Sequence, residues 1–366
     1  IKVGSKVLLE ADGRLNYRHI AHLVEQIAHL HKKGRKIVFV TSGAVGAGME
    51  GLALKKRPSD LPMLQAAAAI GQPRLMRAYE DLFGSFGTMI AQVLLTHDDL
   101  KNRKRHLNIK HTLTTLLDKN VIPIINENDT VSVDEFKFGD NDVLASLVAM
   151  LLEAKALVLL TTSEGFMIKN ENGDQQRLDH IIELDEDVLK HIEAHKVGLS
   201  LGGMKSKLMA AANMIHVGGI AVIAPGLKKD VLVQLFDGED IGTVVGDINS
   251  SNARKMPGRK RWIAFYHRSE GTIKVDDGAK HALLAHGKSL LPVGITSVTG
   301  EFYRGSVIEI VDACDQRFAK GVTQFDHQEV KNIMMECKRD EFAKHGHCQT
   351  TEVVHRDNMV ILSEIT

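Results

Sequence analysis

The tightest constraint in this chain is an apolar run that ends abruptly in side-chain acceptors. Residues 121 to 125 read Val-Ile-Pro-Ile-Ile; Asn126-Glu127-Asn128-Asp129 follow directly, and Gly139-Asp140-Asn141-Asp142 come soon after. A strand apolar at every position is buried on both faces, which calls for a parallel sheet covered by helices. In such sheets ligands bind beyond the carboxyl ends of the strands. Turns and helix caps also use Asn, Asp and Gly. Two clusters this close nevertheless carry more acceptors than two turns require.

The same alternation runs through the first 250 residues. Lys36 to Val40, Thr88 to Leu95, Ala156 to Leu160 and Ile220 to Ala224 read as further strands. Between them lie helical patterns. One starts at Asn16 as N-cap, with Ile20, Leu23, Val24, Ile27 and Leu30 on one face and Gly34 as the stop. From Leu61 an Ala-rich helical stretch, Gln65 to Ile70 and then Arg74 to Phe83, comes next, and then a helix around Arg103 to Lys119. Asp140 can cap a helix with an apolar stripe at Leu144, Leu147, Val148, Leu151 and Leu152. The expected fold is therefore α/β, with a mainly parallel, helix-covered sheet over residues 1 to 250. Residues 251 to 261 are polar and basic without apolar periodicity and read as a linker. From Trp262 to Thr366 the texture is short strands broken by glycine, at Gly271 to Val275, Leu290 to Val298 and Gly305 to Val311, as in a small β-rich, barrel-like domain.

Composition narrows the classes. With 44% hydrophobic and 25% charged residues in 366, the chain has room for two domains with a sizeable core. No apolar run approaches membrane-spanning length, and no signal-peptide pattern is visible. Basic and acidic residues balance at 46 each, so the whole chain lacks the charge signature of a nucleic-acid binder. From Trp262 onward 12 Lys and Arg stand against 15 Asp and Glu, which argues against a phosphate-tracking surface there. The three cysteines, Cys314, Cys337 and Cys348, suit a reducing compartment better than a disulfide framework, and the cytoplasm is the expected location. His345, His347, Cys348 and His355 lie close in sequence but lack paired ligand spacing, so no metal site is assigned to protein side chains.

Two further strand ends carry candidate chemistry. Thr41 to Gly48 is a Gly-rich loop after a strand, suited to backbone N–H groups that cradle an anion, although close packing would also use those glycines. Leu201-Gly202-Gly203-Met204-Lys205-Ser206-Lys207 opens a helix without the P-loop spacing. Its paired glycines and two lysines suit a nucleotide phosphate, or simply a solvated first turn.

Taken together, Lys2-Val3-Gly4-Ser5, Val40-Thr41-Ser42-Gly43-Ala44, Ile125-Asn126-Glu127-Asn128-Asp129, Gly139-Asp140-Asn141-Asp142, Leu160-Thr161 and Gly202 to Lys207 resemble the amino acid kinase family and, within it, the glutamate 5-kinases. Lys260-Arg261-Trp262-Ile263, Ser289 to Gly294 and Val298-Thr299-Gly300 resemble the PUA domain that many bacterial members carry. The resemblance covers nearly the whole chain. It implies ATP-dependent phosphorylation of the side-chain carboxylate of L-glutamate, the first step of proline synthesis. By carry-over, Lys2 and Lys207 are the cations flanking the transferring phosphoryl group, and Asp142 orients them. Ser42, Gly43, Asp129 and Asn141 fall at glutamate-binding positions, with Asp129 facing the substrate ammonium. Lys2, Gly4, Ser5, Thr161, Thr162, Leu201, Gly202, Gly203, Met204, Lys205, Ser206 and Lys207 fall at ATP-binding positions, where Gly4, Gly43, Gly202 and Gly203 let backbone amides approach the phosphates. Thr162 and Leu201 replace the Asp and Thr of better-known members. Mg²⁺ is implied as the companion of ATP, held mainly by phosphate oxygens and water. Feedback inhibition by proline and homo-oligomerisation are family expectations that no single residue here carries.

Two other readings stay open at this point. One is a sibling kinase acting on acetylglutamate, aspartate or carbamate. The other is an RNA-binding accessory protein, because PUA-like domains usually accompany RNA enzymes; the near-neutral tail weighs against it.

Overall fold

The apolar runs become adjacent strands because each can satisfy its backbone only by pairing and its side chains only under helices. The computed structural model describes residues 1–131, 140–169, 173–182, 201–247, 258–266, 269–340 and 351–362. The chain divides into two units, Ile1–Arg254 and Lys255–Thr366.

The first unit runs β1 (Lys2–Val3), α1 (Ser5–Leu8), α2 (Tyr17–Lys32), β2 (Phe39–Val40), α3 (Ala44–Gly51), α4 (Leu61–Ser85), β3 (Ile90–Leu95), α5 (His97–Lys101), α6 (Arg103–Asp118), β4 (Ile122–Glu127), α7 (Asp140–Leu151), β5 (Ala156–Thr161), β6 (Phe166–Lys169), β7 (Gln175–Leu178), β8 (His180–Ile181), α8 (Leu201–Ile215), β9 (Ile220–Pro225), α9 (Val231–Phe236) and β10 (Thr243–Val245). Among the described residues the main sheet has the order β3-β4-β2-β1-β5-β9-β10-β8, and β6 and β7 form a separate hairpin. From β3 to β9 neighbouring strands are parallel. The first turn back is β10 against β9. Residues 122 to 126 of β4 are all buried, whereas β3 at the sheet edge is half-exposed, as the apolar runs foretold for inner strands. The chain grows to one side of β1 through β2, β4 and β3, then crosses to the other through β5 and β9. β1 and β5 therefore flank the switch point of the sheet.

Local sequence explains the helices. The Asn16 side chain accepts from His19 N at 2.8 Å and starts α2, whose Ile20, Leu23, Val24, Ile27 and Leu30 are buried. The Ala-rich helical stretch expected from Leu61 is one helix, α4, which continues through Pro73. Its long buried face, Leu64, Ala67, Ala68, Gly71, Gln72, Leu75, Tyr79 and Phe83, outweighs the hydrogen bond the proline removes. The strands at Lys36 and Thr88 start later than expected, at Phe39 and Ile90.

Of the loop glycines, Gly43 takes a left-handed φ of 98° at the entry to α3. Gly48 serves packing instead. A Cβ there would lie 1.7 Å from Ala67 O, and one on Gly71 would lie 1.8 Å from Ala44 O, so α3 and α4 touch backbone to backbone.

The second unit comprises α10 (Gly258–Phe265), β11 (Gly271–Val275), α11 (Asp277–His286), β12 (Ile295–Gly300), β13 (Val307–Val311), β14 (Arg317–Val322), α12 (His327–Asp340) and β15 (Met359–Ile361). The strands form a sheet of order β12-β11-β13-β14-β15 over a core that includes Ile273, Leu290, Ile310, Phe318 and Val354. The linker expected over 251 to 261 is corrected at its end. Residues 258 to 261 belong to α10, because Arg261, Trp262 and Ile263 bury one side of that turn; residues 251 to 257 lie outside the described residues. His345, His347 and Cys348 also lie outside them. Cys314 is free and exposed, and Cys337 is disulfide-bonded. Among the described residues no helix is long and apolar enough to cross a membrane.

The helix crossing yields a stability test. Gly71→Ala should destabilise the chain by about 2 kcal/mol or more, the cost of overpacking a backbone contact. Gly84→Ala, where an added Cβ meets nothing within 4 Å, should be neutral or gain about 0.5 kcal/mol. Denaturant unfolding of the two variants would measure both; equal midpoints would remove the close-packing account.

Candidate active site

Six adjacent strands run parallel, β3-β4-β2-β1-β5-β9, and two polar clusters form toward their carboxyl ends. The first is ionic. Lys2, on the central strand β1, places Nζ 2.6 Å from Asp142 Oδ1, and Lys207, in the second turn of α8, places Nζ 2.9 Å from Asp142 Oδ2. All three are buried, Asp142 to 1% exposure. Ser206 Oγ reaches the same Oδ2 at 2.8 Å, and Lys207 Nζ also donates to Gly203 O at 3.2 Å. Burial lowers the Lys2 pKa below the ordinary lysine value; the Asp142 charge opposes that shift and the Lys207 charge reinforces it. For Asp142 burial alone would raise the pKa, but the two ammonium groups outweigh it and hold the carboxyl below its usual range. Asp142 is thus an anion whose two oxygens are both taken by cations.

The second cluster is a chain of neutral amides and hydroxyls. Asn141 Nδ2 lies 3.0 Å from Thr41 O, Ser42 Oγ and Asn126 Oδ1. Asn126 Nδ2 donates to Gln72 Oε1 at 2.8 Å. Thr41 Oγ1 and Tyr79 OH share a hydrogen bond of 2.7 Å, and burial pushes the Tyr79 phenol pKa up, keeping its proton. Because Asn141 and Asp142 are neighbours in the first turn of α7, one helix start joins the amide chain to the ionic cluster.

The remaining expected residues surround these two clusters. Gly4 N donates to Leu160 O at 3.3 Å across the β1–β5 switch point, and a Cβ on Gly4 would stand in ordinary contact with Lys2 Nζ, at 3.8 Å. Ser5 begins the short α1 and is half-buried. Thr161 ends β5, its carbonyl accepting from Gly226 N at 2.7 Å, and Thr162 beside it is exposed. Leu201 and Gly202 open α8, Gly203 and Met204 are half-buried, and Lys205 points to solvent while Ser206 and Lys207 turn inward. Only the second lysine of that pair joins the ionic cluster. Gly43 sits beside Ser42 at the α3 entry. Asp129, half-buried beyond β4, favours the charged form of Arg57, a residue the sequence reading did not single out. Gly139 and the Asp140 side chain lie outside the described residues.

Gln72, Tyr79 and Asn126 had no assigned role. For the first two the signal was present: both are polar groups on the apolar face of α4, between Ala68 and Phe83. A buried polar group needs a partner, and here the partners are site residues.

Comparison with known proteins agrees with this layout. Residues 1–223 match the amino acid kinase family, and residues 271–345 match the PUA domain. A glutamate 5-kinase of Syntrophus aciditrophicus is 42% identical over 99% of this chain and 93% of its own length. Those of Geobacter metallireducens and Chromohalobacter salexigens are 43% and 44% identical over 99% of this chain and 96% and 95% of theirs. The chain belongs to the amino acid kinase family and, within it, to the glutamate 5-kinases that carry a C-terminal PUA domain.

Proposed function

We propose that this chain transfers the γ-phosphoryl group of ATP to the side-chain carboxylate of L-glutamate, giving L-glutamyl 5-phosphate and ADP, the first step of proline biosynthesis. The observation that carries the reading is the buried Lys2–Asp142–Lys207 cluster at the switch point of the sheet. A carboxylate oxygen of glutamate attacks the γ-phosphorus, the bond to the β–γ bridging oxygen breaks, and ADP leaves with that electron pair. The nucleophile is already ionised at neutral pH, so no general base is required. Positioning and cationic stabilisation of the charge spread over the transferring group remain to be supplied. Lys2 and Lys207 supply the charge, and Asp142 holds them apart and in place by charge-assisted bonds.

Ser42, Gly43, Asp129 and Asn141 form the glutamate side, with Asp129 pairing the substrate ammonium. Gly4, Ser5, Thr161, Thr162 and residues 201 to 207 form the nucleotide side. Mg²⁺ accompanying ATP would be held by the nucleotide's phosphate oxygens and water and would offset their charge. Both oxygens of Asp142 are held by ammonium groups, which suits a residue that organises lysines over one that binds metal. Inhibition by proline, self-association and a cytoplasmic location belong to the same reading.

An assay coupling ADP release to NADH oxidation tests it. Release should depend on glutamate and should fall when proline is added; preference for acetylglutamate, aspartate or carbamate would overturn the substrate assignment. Lys2→Met and Lys207→Ala should each lower kcat by about 10²-fold, as for loss of one transition-state donor. Wild-type turnover in both variants would remove the lysines from the mechanism.

The pH dependence follows from the two shifts. Lys2 in the free enzyme loses its proton below the ordinary lysine value of 10.5, so the alkaline limb of the kcat/KM profile should begin below that pH. The folded chain then binds fewer protons at Lys2 than the unfolded chain, so this residue's contribution to stability rises with pH over the same window. Asp142 has the depressed carboxyl, and its stabilising contribution is complete above the unfolded value near 3.8 and is lost as pH falls through the folded one. Comparing wild type with Lys2→Met in unfolding titrations isolates the lysine contribution; an alkaline limb at the ordinary value would contradict it.

A further inference from the structure

Besides Asp142 Oδ1, which is ion-paired with Lys2, the described residues of the resting site contain two buried polar atoms without hydrogen-bond partners, Gln72 Nε2 and Asn141 Oδ1. They lie at the two ends of one amide chain. Glu127 N–H can only donate, and it donates to Asn126 Oδ1 at 3.0 Å, which turns Asn126 Nδ2 toward Gln72 Oε1 at 2.8 Å. The Thr41 carbonyl can only accept, and it faces Asn141 Nδ2 at 3.0 Å, which also meets Asn126 Oδ1. Backbone groups at two points therefore decide which face of each amide is oxygen. The outcome at Asn141 is a buried acceptor with nothing to accept from, a costly state relieved when a donor arrives.

We infer that Gln72 is a positioning residue for substrate recognition: by accepting from Asn126 it keeps Asn141 oriented so that its carbonyl oxygen receives an N–H from the ammonium group of the substrate. The inference rests on the amino-acid reading of the proposed function and adds to it a source of selectivity. A five-carbon dicarboxylate without the amine leaves Asn141 Oδ1 unsatisfied, whereas the amino acid satisfies it. Gln72 touches no substrate atom in this account. It acts through Oε1, while its Nε2, already without a partner, contributes nothing.

The test uses the full chain as wild type, Gln72→Met and Gln72→Glu. Methionine keeps the length and removes the acceptor; glutamate keeps an oxygen at the Oε1 position. The KM for L-glutamate, the KM for ATP and the inhibition constant of glutarate are measured for each. Gln72→Met should raise the glutamate KM about tenfold, the effect of one weakened hydrogen-bonded contact, and leave the ATP KM and the glutarate constant near wild type. Gln72→Glu should restore the glutamate KM. Equal weakening of glutamate and glutarate, an unchanged glutamate KM in Gln72→Met, or a Gln72→Glu variant as impaired as Gln72→Met would each overturn the inference. If Gln72→Met does not fold, Gln72→Glu decides alone: a wild-type ratio of glutamate to glutarate affinity supports the role, and a lowered ratio overturns it. Wild-type turnover is measured first, since a failure to use glutamate at all would sink the proposed function rather than the role of Gln72.

Discussion

Burying two ammonium groups with one carboxylate leaves a positive charge in excess, and the first unit is arranged to hold it. Each ion taken from water costs several kcal/mol, and attraction within the cluster offsets this only when the geometry is good. Here each Asp142 oxygen faces one lysine, Ser206 adds a hydroxyl and Gly203 a carbonyl. Removing Asp142 strands two ammonium groups, whereas removing either lysine leaves the carboxylate paired with the other, so the cluster depends most on Asp142. Their supports differ: Lys2 is fixed by the central strand, Lys207 by α8 and Asp142 by the first turn of α7. Only a fold that brings a strand and two helix starts to one point can form the cluster, and the parallel sheet with its switch at β1 and β5 does so.

The excess charge is also what phosphoryl transfer needs. Helix N-termini carry partial positive charge, and both α7 and α8 begin beside the lysines. Asp142 sits at the favourable end of its helix, whereas Lys207 sits where the helix field disfavours a cation. That field adds to the lysines' own. A site that is electropositive at rest, with its carboxylate fully engaged, has its electrostatics organised before nucleotide arrives and needs little reorganisation when charge develops on the transferring group.

How much of this was legible in the sequence depended on the range of the interaction. Strands buried on both faces announced themselves as apolar runs, and Asn16 announced the start of α2, because those signals are local. The acceptor burst after Ile125 marked the right strand end, yet the residues alone did not say that Asp142 would meet Lys2 and Lys207, 140 and 65 positions away; the family resemblance carried that pairing. Gln72 and Tyr79 were missed because their partners, Asn126 and Thr41, lie on other elements, 54 and 38 residues off. The polar stretch before Trp262 misled for a related reason: its composition read as a linker throughout, and burial of one face of α10 decided otherwise.

The two clusters differ in how they specify a ligand. Charges act over distance and tolerate small displacements, so the lysines can accept any phosphoryl donor that fits between them. Amides act only at contact and only with the right polarity, so the chain from Gln72 to Asn141 can distinguish a donor from an acceptor on an otherwise similar molecule. That the first turn of α7 carries one residue from each system, Asn141 and Asp142, ties the amide chain to the ionic cluster within a single helical turn. A shift of that turn would disturb both at once.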